Sequence, residues 1–154
     1  MDAFLLLNSP LDADLLHGCL FVAQILASSF LAVLFLQSGL DKVFDWKGNL
    51  SWLSGHFART PLGGMVTLML GVVTVTEVSA GALSALGALA LLFFRTPTLA
   101  LIGAELSGLS ILMLFFGQRI AKDYAGAATL VSYFILVLLT ILLLSGAFQP
   151  GLAA

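Results

Sequence analysis

The chain has 154 residues, of which 60% are hydrophobic and 9% are charged, and its formal net charge is −2. Its mean hydropathy is +1.12, whereas a soluble domain is about half apolar and about a quarter charged, so an ordinary soluble fold is excluded. We expect no nucleic-acid partner, because no basic stripe is present. The single cysteine, Cys19, excludes an internal disulfide and a CxxC redox pair.

Four long apolar runs predict four membrane-spanning helices, because about 20 residues cross a hydrocarbon core of about 30 Å. Only helices and closed barrels satisfy the backbone in lipid, and none of the runs alternates as barrel strands do. We therefore predict an all-α, polytopic membrane protein, in which 1–154 form one four-transmembrane-helix bundle. The predicted helices cover about residues 15–44, 61–93, 97–118 and 123–146.

The segment before the first run does not resemble a signal peptide. It carries Asp2, Asp12 and Asp14, and it lacks a positive n-region and a small-residue cleavage site. We expect its apolar residues, Phe4 to Leu7, to lie on the bilayer or on a neighbouring chain.

The sequence of loop one, which joins the first two runs, predicts a short helix over about residues 50–58. Gly48 and Asn49 are a turn signal, and Asn49 is a suitable N-cap. Apolar residues at helical spacing give this segment one apolar face, which is typical of a helix in the membrane interface. Lys42, at the end of the first helix, is expected to extend to the headgroups. The apolar face consists of Trp46, Leu50, Leu53 and Phe57.

The starts of the later helices are marked by capping residues. The sequence Arg-Thr-Pro occurs at 59–61 and again at 95–97, each time directly before an apolar run. Thr suits the N-cap and Pro the first helical position, and Asp123 is expected to cap the fourth helix. The second run has about 33 residues, or about 50 Å as a straight helix. It must therefore tilt, protrude or break near Gly81 or Gly87.

The positive charges predict the orientation in the membrane. Loops one and three contain five of the six Lys and Arg residues, and the loop between them contains only Arg95. Cytoplasmic loops carry the excess of Lys and Arg, so loops one and three are predicted to be cytoplasmic. With four spans, both termini then lie on the periplasmic side.

Two carboxyl groups lie inside apolar runs, Glu77 in the second and Glu105 in the third. Intramembrane ionisable groups usually face the bundle interior, so a shared site is one possibility. Three interpretations remain open: a structural hydrogen bond between helices, binding of a polar ligand such as a quinone headgroup, and proton relay. The structural interpretation would use nearby hydroxyls as partners, namely those of Thr74, Thr76, Ser79 or Ser107.

Loop one has two interpretations of its own, an anchored loop or the mouth of a site between the helices. In the second, its polar and aromatic side chains line the entrance to a site that contains Glu77. These candidate binding residues are Asp41, Lys42, Asp45, Trp52 and His56.

Several kinds of chemistry are not predicted. His17 and His56 are expected on opposite sides of the membrane, whereas the axial ligands of a haem face each other. No metal-ligand cluster and no nucleophile–base pair is visible, so we predict neither a metal site nor a catalytic residue. Small residues four apart predict close helix packing instead. These pairs are Gly81 and Ala85, Gly103 and Ser107, and Ala104 and Gly108.

Three motifs in order along the chain resemble those of DoxX-like membrane proteins. They are a G-x-x-K at Gly39 and Lys42, an E-x-x-x-G at Glu77 and Gly81, and the fourth-helix entry from Lys122 to Gly126. The resemblance covers about residues 27–146 and implies a four-helix bundle of the bacterial inner membrane. Some relatives are subunits associated with quinone-linked oxidation, and others act with oxidative-stress enzymes.

The resemblance and the residues together give two expected functions. The first is a non-catalytic accessory subunit of a larger quinone-linked respiratory or redox membrane complex, with lipids and other membrane subunits as partners. The alternative is a stand-alone binder of a lipid-soluble small molecule such as quinone, with Glu77 inside the bundle. We expect no covalently bound cofactor and no independent catalytic activity, and a quinone or a lipid as the bound molecule.

Overall fold

A computed structural model describes residues 10–147, with side chains from Asp14 onward. The predicted surface segment from Phe4 to Leu7 lies outside the described residues. Over the described range the chain forms a short 3₁₀ turn, Gly63–Met65, and five α-helices. The helices are α1 (Pro10–Phe44), α2 (Trp46–Phe57), α3 (Val66–Phe94), α4 (Thr98–Ile120) and α5 (Tyr124–Leu144).

The predicted fold class is confirmed. The helices α1, α3, α4 and α5 are each long and apolar enough to cross a membrane, so the chain is a multi-pass membrane protein. Helix α1 packs mainly on α3, α3 on α4, and α4 on α5, while α1 makes fewer contacts with α4 and α5. Successive spans are antiparallel, so α1 and α4 run in the same direction. The core between the four spans is formed by Leu31, Phe35, Ala80, Leu91, Ala100, Ala104, Ile111, Val137 and Leu144.

Glycines bring the backbones of neighbouring spans into direct contact, as the small-residue spacing predicts. A Cβ added at Gly81 of α3 would lie 2.5 Å from the backbone nitrogen of Leu36 on α1. A Cβ at Gly103 of α4 would lie 2.6 Å from the backbone nitrogen of Ser84 on α3. Lipid supplies no hydrophobic drive for helix association, so this close packing is a main source of bundle stability. At Gly108 the fit is looser, with 3.3 Å to the side chain of Val137.

The long second span does not break. Helix α3 runs without interruption for 29 residues, or about 43 Å, through both Gly81 and Gly87. Both glycines serve contacts with neighbouring helices, Gly81 with α1 and Gly87 with Ala100 of α4. The contacts with α1 and α4 offset the backbone flexibility that these two glycines give to α3.

The start of α2 differs from the prediction. The helix begins at Trp46, and its N-cap is Asp45, whose carboxylate accepts a hydrogen bond from the Gly48 N–H at 3.1 Å. Asn49 lies inside the helix, where its side-chain amide donates to the Asp45 carbonyl at 2.8 Å. The predicted cap at Asn49 is therefore wrong, because a carboxylate four residues earlier takes the same role.

The two Arg-Thr-Pro segments do not cap helices as predicted. The Thr60 hydroxyl donates to the Phe57 carbonyl at 2.9 Å and accepts from the Leu62 N–H at 3.2 Å, so it stabilises a turn. Helix α3 starts only at Val66, after the 3₁₀ turn. The N-cap of α4 is Pro97, without a side-chain cap. The Asp123 cap of α5 is confirmed, with 2.8 Å to the Gly126 N–H.

We predict that Gly81→Ala destabilises the bundle although alanine favours a helix by about 1 kcal/mol over glycine. The added methyl group would force α3 away from α1, and overpacking of this kind costs about 1–3 kcal/mol. Thermal or denaturant unfolding in a mild detergent would measure the change. The control is Gly18→Ala, since nothing lies within 4 Å of a Cβ at that position. An equal or higher stability of Gly81→Ala would contradict the packing described here.

Candidate functional site

A buried ion pair joins α1 to α3 inside the bundle. The Lys42 ammonium nitrogen lies 2.7 Å from Glu77 Oε2, and Glu77 is fully buried. The Ser38 hydroxyl, one turn earlier on α1, donates to the same carboxylate oxygen at 3.2 Å. Charged groups in apolar surroundings are stable only when they are paired and hydrogen-bonded, so this cluster fixes the register of α1 against α3.

Lys42 has no N–H left for a ligand. Besides Glu77, its ammonium group donates to the Ser38 carbonyl at 3.1 Å and to the Ser38 hydroxyl at 2.8 Å. An ammonium group has three donors, and all three are used. Lys42 therefore points into the bundle and does not extend to the headgroups, which corrects the sequence-based expectation.

The partners of Glu77 also differ from the expected hydroxyls. The hydroxyls of Thr74, Thr76 and Ser107 donate to carbonyls of their own helices, at 2.7, 2.7 and 2.8 Å. Ser79, the fourth expected partner, forms no hydrogen bond with Glu77, whose described partners are Ser38 and Lys42. Serine and threonine in a helix often satisfy themselves in this way, and they are then not available to a neighbour. Among the described residues Glu77 is bonded from α1 alone, and its second oxygen, Oε1, has no partner there.

A cavity of about 170 Å³ lies beside this ion pair, under α2 and between the ends of α3 and α4. Its walls are mostly apolar and include two methionines, Met69 and Met113. Lys42 of the ion pair is also part of the lining. The remaining lining residues are Asn49, Trp52, Leu53, His56, Phe57, Val66, Leu70, Val73, Leu114, Gly117 and Gln118.

Two residues of the cavity lining, His56 on α2 and Gln118 near the end of α4, each carry a buried polar atom without a partner among the described residues. The atoms are His56 Nε2 and Gln118 Oε1. A buried polar group without a hydrogen bond costs about 1–3 kcal/mol, so each is an incomplete site for a donor or an acceptor. The His56 ring also stacks on Trp52, with centroids 4.9 Å apart and planes 14° apart.

The structure separates the sequence-predicted residues into three groups. Lys42, Trp52 and His56 line the cavity, and Glu77 lies directly behind Lys42. Asp41 and Asp45 are exposed, and Asp45 serves as the cap of α2. Glu105 is exposed on the outer surface of α4 and so does not share a site with the buried Glu77.

Sequence reasoning missed two residues of this region, Ser38 and Gln118. Ser38 precedes Lys42 by four residues, which is the spacing of one helical turn, so its place beside the ion pair follows once Lys42 is known to point inward. Gln118 is polar in the last turn of an apolar helix, a position that fits an ordinary helix end equally well. In the structure its side-chain amide lies beside Gly126 of α5, where an added Cβ would be 2.9 Å from the amide carbon.

Comparison of the chain with protein-family models, with curated proteins and with solved structures finds no match.

We predict that Lys42 and Glu77 are strongly coupled in stability. Replacing one partner, in Lys42→Met or Glu77→Leu, leaves an unpaired buried charge and should cost about 3–5 kcal/mol. The double variant should be clearly more stable than the sum of the two losses implies, because it leaves no charge behind. Unfolding of the four proteins in mild detergent measures this cycle, with the exposed Asp41→Asn as the control. Strictly additive losses would show that the pair does not hold α1 to α3.

Proposed function

We propose that the chain binds a lipid-soluble molecule with a planar, oxygen-bearing ring, such as a quinone, in the cavity under α2. The observation that carries this proposal is that two residues lining a mostly apolar cavity, His56 and Gln118, each have a buried polar atom without a partner among the described residues. Ligand pockets commonly have this composition: apolar walls bind the body of the ligand and a few polar groups orient it.

The size of the cavity supports a ring as the bound group. Its volume is about 170 Å³. An apolar cavity of about 150 Å³ accommodates a benzene molecule in a protein interior. The stacked rings of Trp52 and His56 provide a flat surface beside it, on which an aromatic or quinonoid ring would stack.

The polar atoms support oxygen substituents on that ring. A neutral imidazole carries one N–H donor and one acceptor, and an amide side chain carries both kinds of group. His56 would donate to a ring carbonyl, and Gln118 would accept from a ring hydroxyl or, with its amide turned over, donate to a second carbonyl. The same two residues would thus serve both a quinone and the corresponding quinol.

In this proposal the ion pair has a supporting role. Lys42 contacts the ligand through the methylene groups of its stem, since its ammonium group is fully used by Glu77 and Ser38. Glu77 holds the lysine in place and does not touch the ligand. This differs from the expectation that Glu77 itself binds the ligand headgroup.

The remaining expectations from the sequence stay predictions. They are membership of the DoxX-like family, the bacterial inner membrane with periplasmic termini, an accessory role in a larger quinone-linked complex, and the lack of an independent catalytic activity. A ligand pocket is compatible with an accessory role, because a small subunit can hold a quinone for the complex that it joins.

We predict saturable binding of a short-tailed ubiquinone analogue to the protein in detergent micelles. Trp52 lines the cavity, so its fluorescence should be quenched, and Trp46→Phe would make Trp52 the sole tryptophan. His56→Ala and Gln118→Ala should each weaken binding by about 5- to 30-fold, because one hydrogen bond is worth about 1–2 kcal/mol.

The control for this titration is Ser132→Ala, which lies on the exposed face of α5 and should bind as the parent protein does. Quenching that does not saturate, or equal affinity in the His56 and Gln118 variants, would contradict the proposed site.

A further inference from the structure

Two polar side chains, Gln37 on α1 and Glu105 on α4, are exposed on the surface of the bundle that faces lipid. Neither forms a hydrogen bond or an ion pair with any other residue that the structure describes. Most of the surrounding residues on both faces are apolar and exposed, and the exposed Asp41 lies one turn from Gln37 on α1. On α1 they include Phe30, Val33 and Leu40, and on α4 they include Ile102, Leu109 and Leu112.

Both side chains lie near the middle of the membrane-spanning bundle. Gly81 of α3 lies beside Leu36 of α1, and Gly103 of α4 lies beside Ser84 of α3. Counted along the helices from these contacts, Gln37 is level with Ala80, which is the middle residue of α3. Glu105 is about two residues, or about 3 Å, from the same level.

Each group is seven residues, or about 10 Å, from the nearer end of its own helix, Phe44 for Gln37 and Thr98 for Glu105. A glutamate side chain extends only a few ångströms, so it does not span that distance. Ionisable groups inside the membrane usually face the bundle interior or a partner, and Glu105 does not face the interior. An outward carboxyl group at mid-depth therefore requires a hydrogen-bonding group from outside this chain.

We infer that Gln37 of one copy of the chain pairs with Glu105 of a second copy. A primary amide has two N–H donors and a carbonyl acceptor, so it pairs with a carboxyl group in either protonation state. Copies inserted in one orientation present these two groups at the same depth, on helices that run in the same direction.

The contact is heterologous, since it joins different faces of the two copies. Helices α1 and α4 make few contacts with each other within one chain, so neither covers the exposed face of the other. Each chain then offers one Gln37 face and one Glu105 face, and repetition gives either a closed ring or an open row. A two-fold contact between two Glu105 side chains would instead place like groups together. This inference is independent of the cavity under α2 and of any ligand.

Disulfide cross-linking in membranes tests the pairing. In a Cys19→Ser background, one copy carries Val33→Cys, one turn from Gln37, and a differently tagged copy carries Ile102→Cys, beside Glu105. A disulfide needs Cα atoms within about 7 Å, so it reports a direct contact. We expect a cross-linked product when both variants are present and none when either is present alone. A chain with both cysteines should give a ladder beyond the dimer.

The contribution of the Gln37–Glu105 pair is tested first by removing one of the two groups and then by exchanging them. Glu105→Leu, at an exposed position that should not affect folding, is expected to lower the yield of the mixed product about tenfold, as for the loss of one interhelical hydrogen bond in a membrane. The exchange of both groups, Gln37→Glu with Glu105→Gln, should restore it.

Three outcomes would overturn the inference. They are the absence of a mixed product, a product from Ile102→Cys alone, and a yield that Glu105→Leu does not change. The melting temperature of each variant in detergent confirms that the monomer is folded.

Discussion

Lipid cannot hydrate a charge, and this constraint governs the architecture around Lys42 and Glu77. Both groups lie within helices that cross the membrane, and each is stable there because the other is 2.7 Å away. The contact requires α1 and α3 to pack closely, which Gly39 and Gly81 permit by removing side chains from the interface. The ion pair and the glycine packing thus depend on each other. Together the ion pair and the glycine packing position the end of α1. They thereby also position α2, which covers the cavity.

The same constraint applies to polar atoms that have no partner, because lipid cannot form hydrogen bonds with them as water does. In a soluble protein an unpaired histidine or glutamine near a loop is commonly satisfied by water. Here His56 Nε2 and Gln118 Oε1 are buried without a partner among the described residues, and Glu105 and Gln37 are exposed on membrane-spanning helices. We propose a small molecule in the cavity as the partner of the first pair and another copy of the chain as the partner of the second. In both cases the hydrogen-bonding groups and their positions indicate what kind of partner would satisfy them.

Much of the fold could be predicted from the residues, because the signals are local or depend on composition. The four spans follow from hydropathy, the Asp123 cap from one side chain, and the close packing of Gly81 and Gly103 from their spacing. The starts of α2, α3 and α4 were predicted less well. Several residues compete for one cap there, and tertiary contacts decide between Asp45 and Asn49.

The site was harder to predict, because periodicity does not show which way a side chain points. Glu77 and Glu105 look alike in sequence, each in the middle of an apolar run, yet one is buried in the bundle and the other faces lipid. Lys42 lies near a helix end, where extension to the headgroups and an inward ion pair are equally compatible with the pattern. Only the rotation of α1 against α3 distinguishes them.

The most direct test of the account is to identify what occupies the cavity under α2. Native mass spectrometry of the protein released from mild detergent, followed by analysis of its organic extract, measures this without assuming the ligand. We expect a ring-bearing, oxygen-containing, lipid-soluble molecule at about one per chain, and its loss in a His56→Ala, Gln118→Ala double variant that still folds. A parent protein that carries no such molecule, or a double variant that retains it in full, would contradict the proposed site.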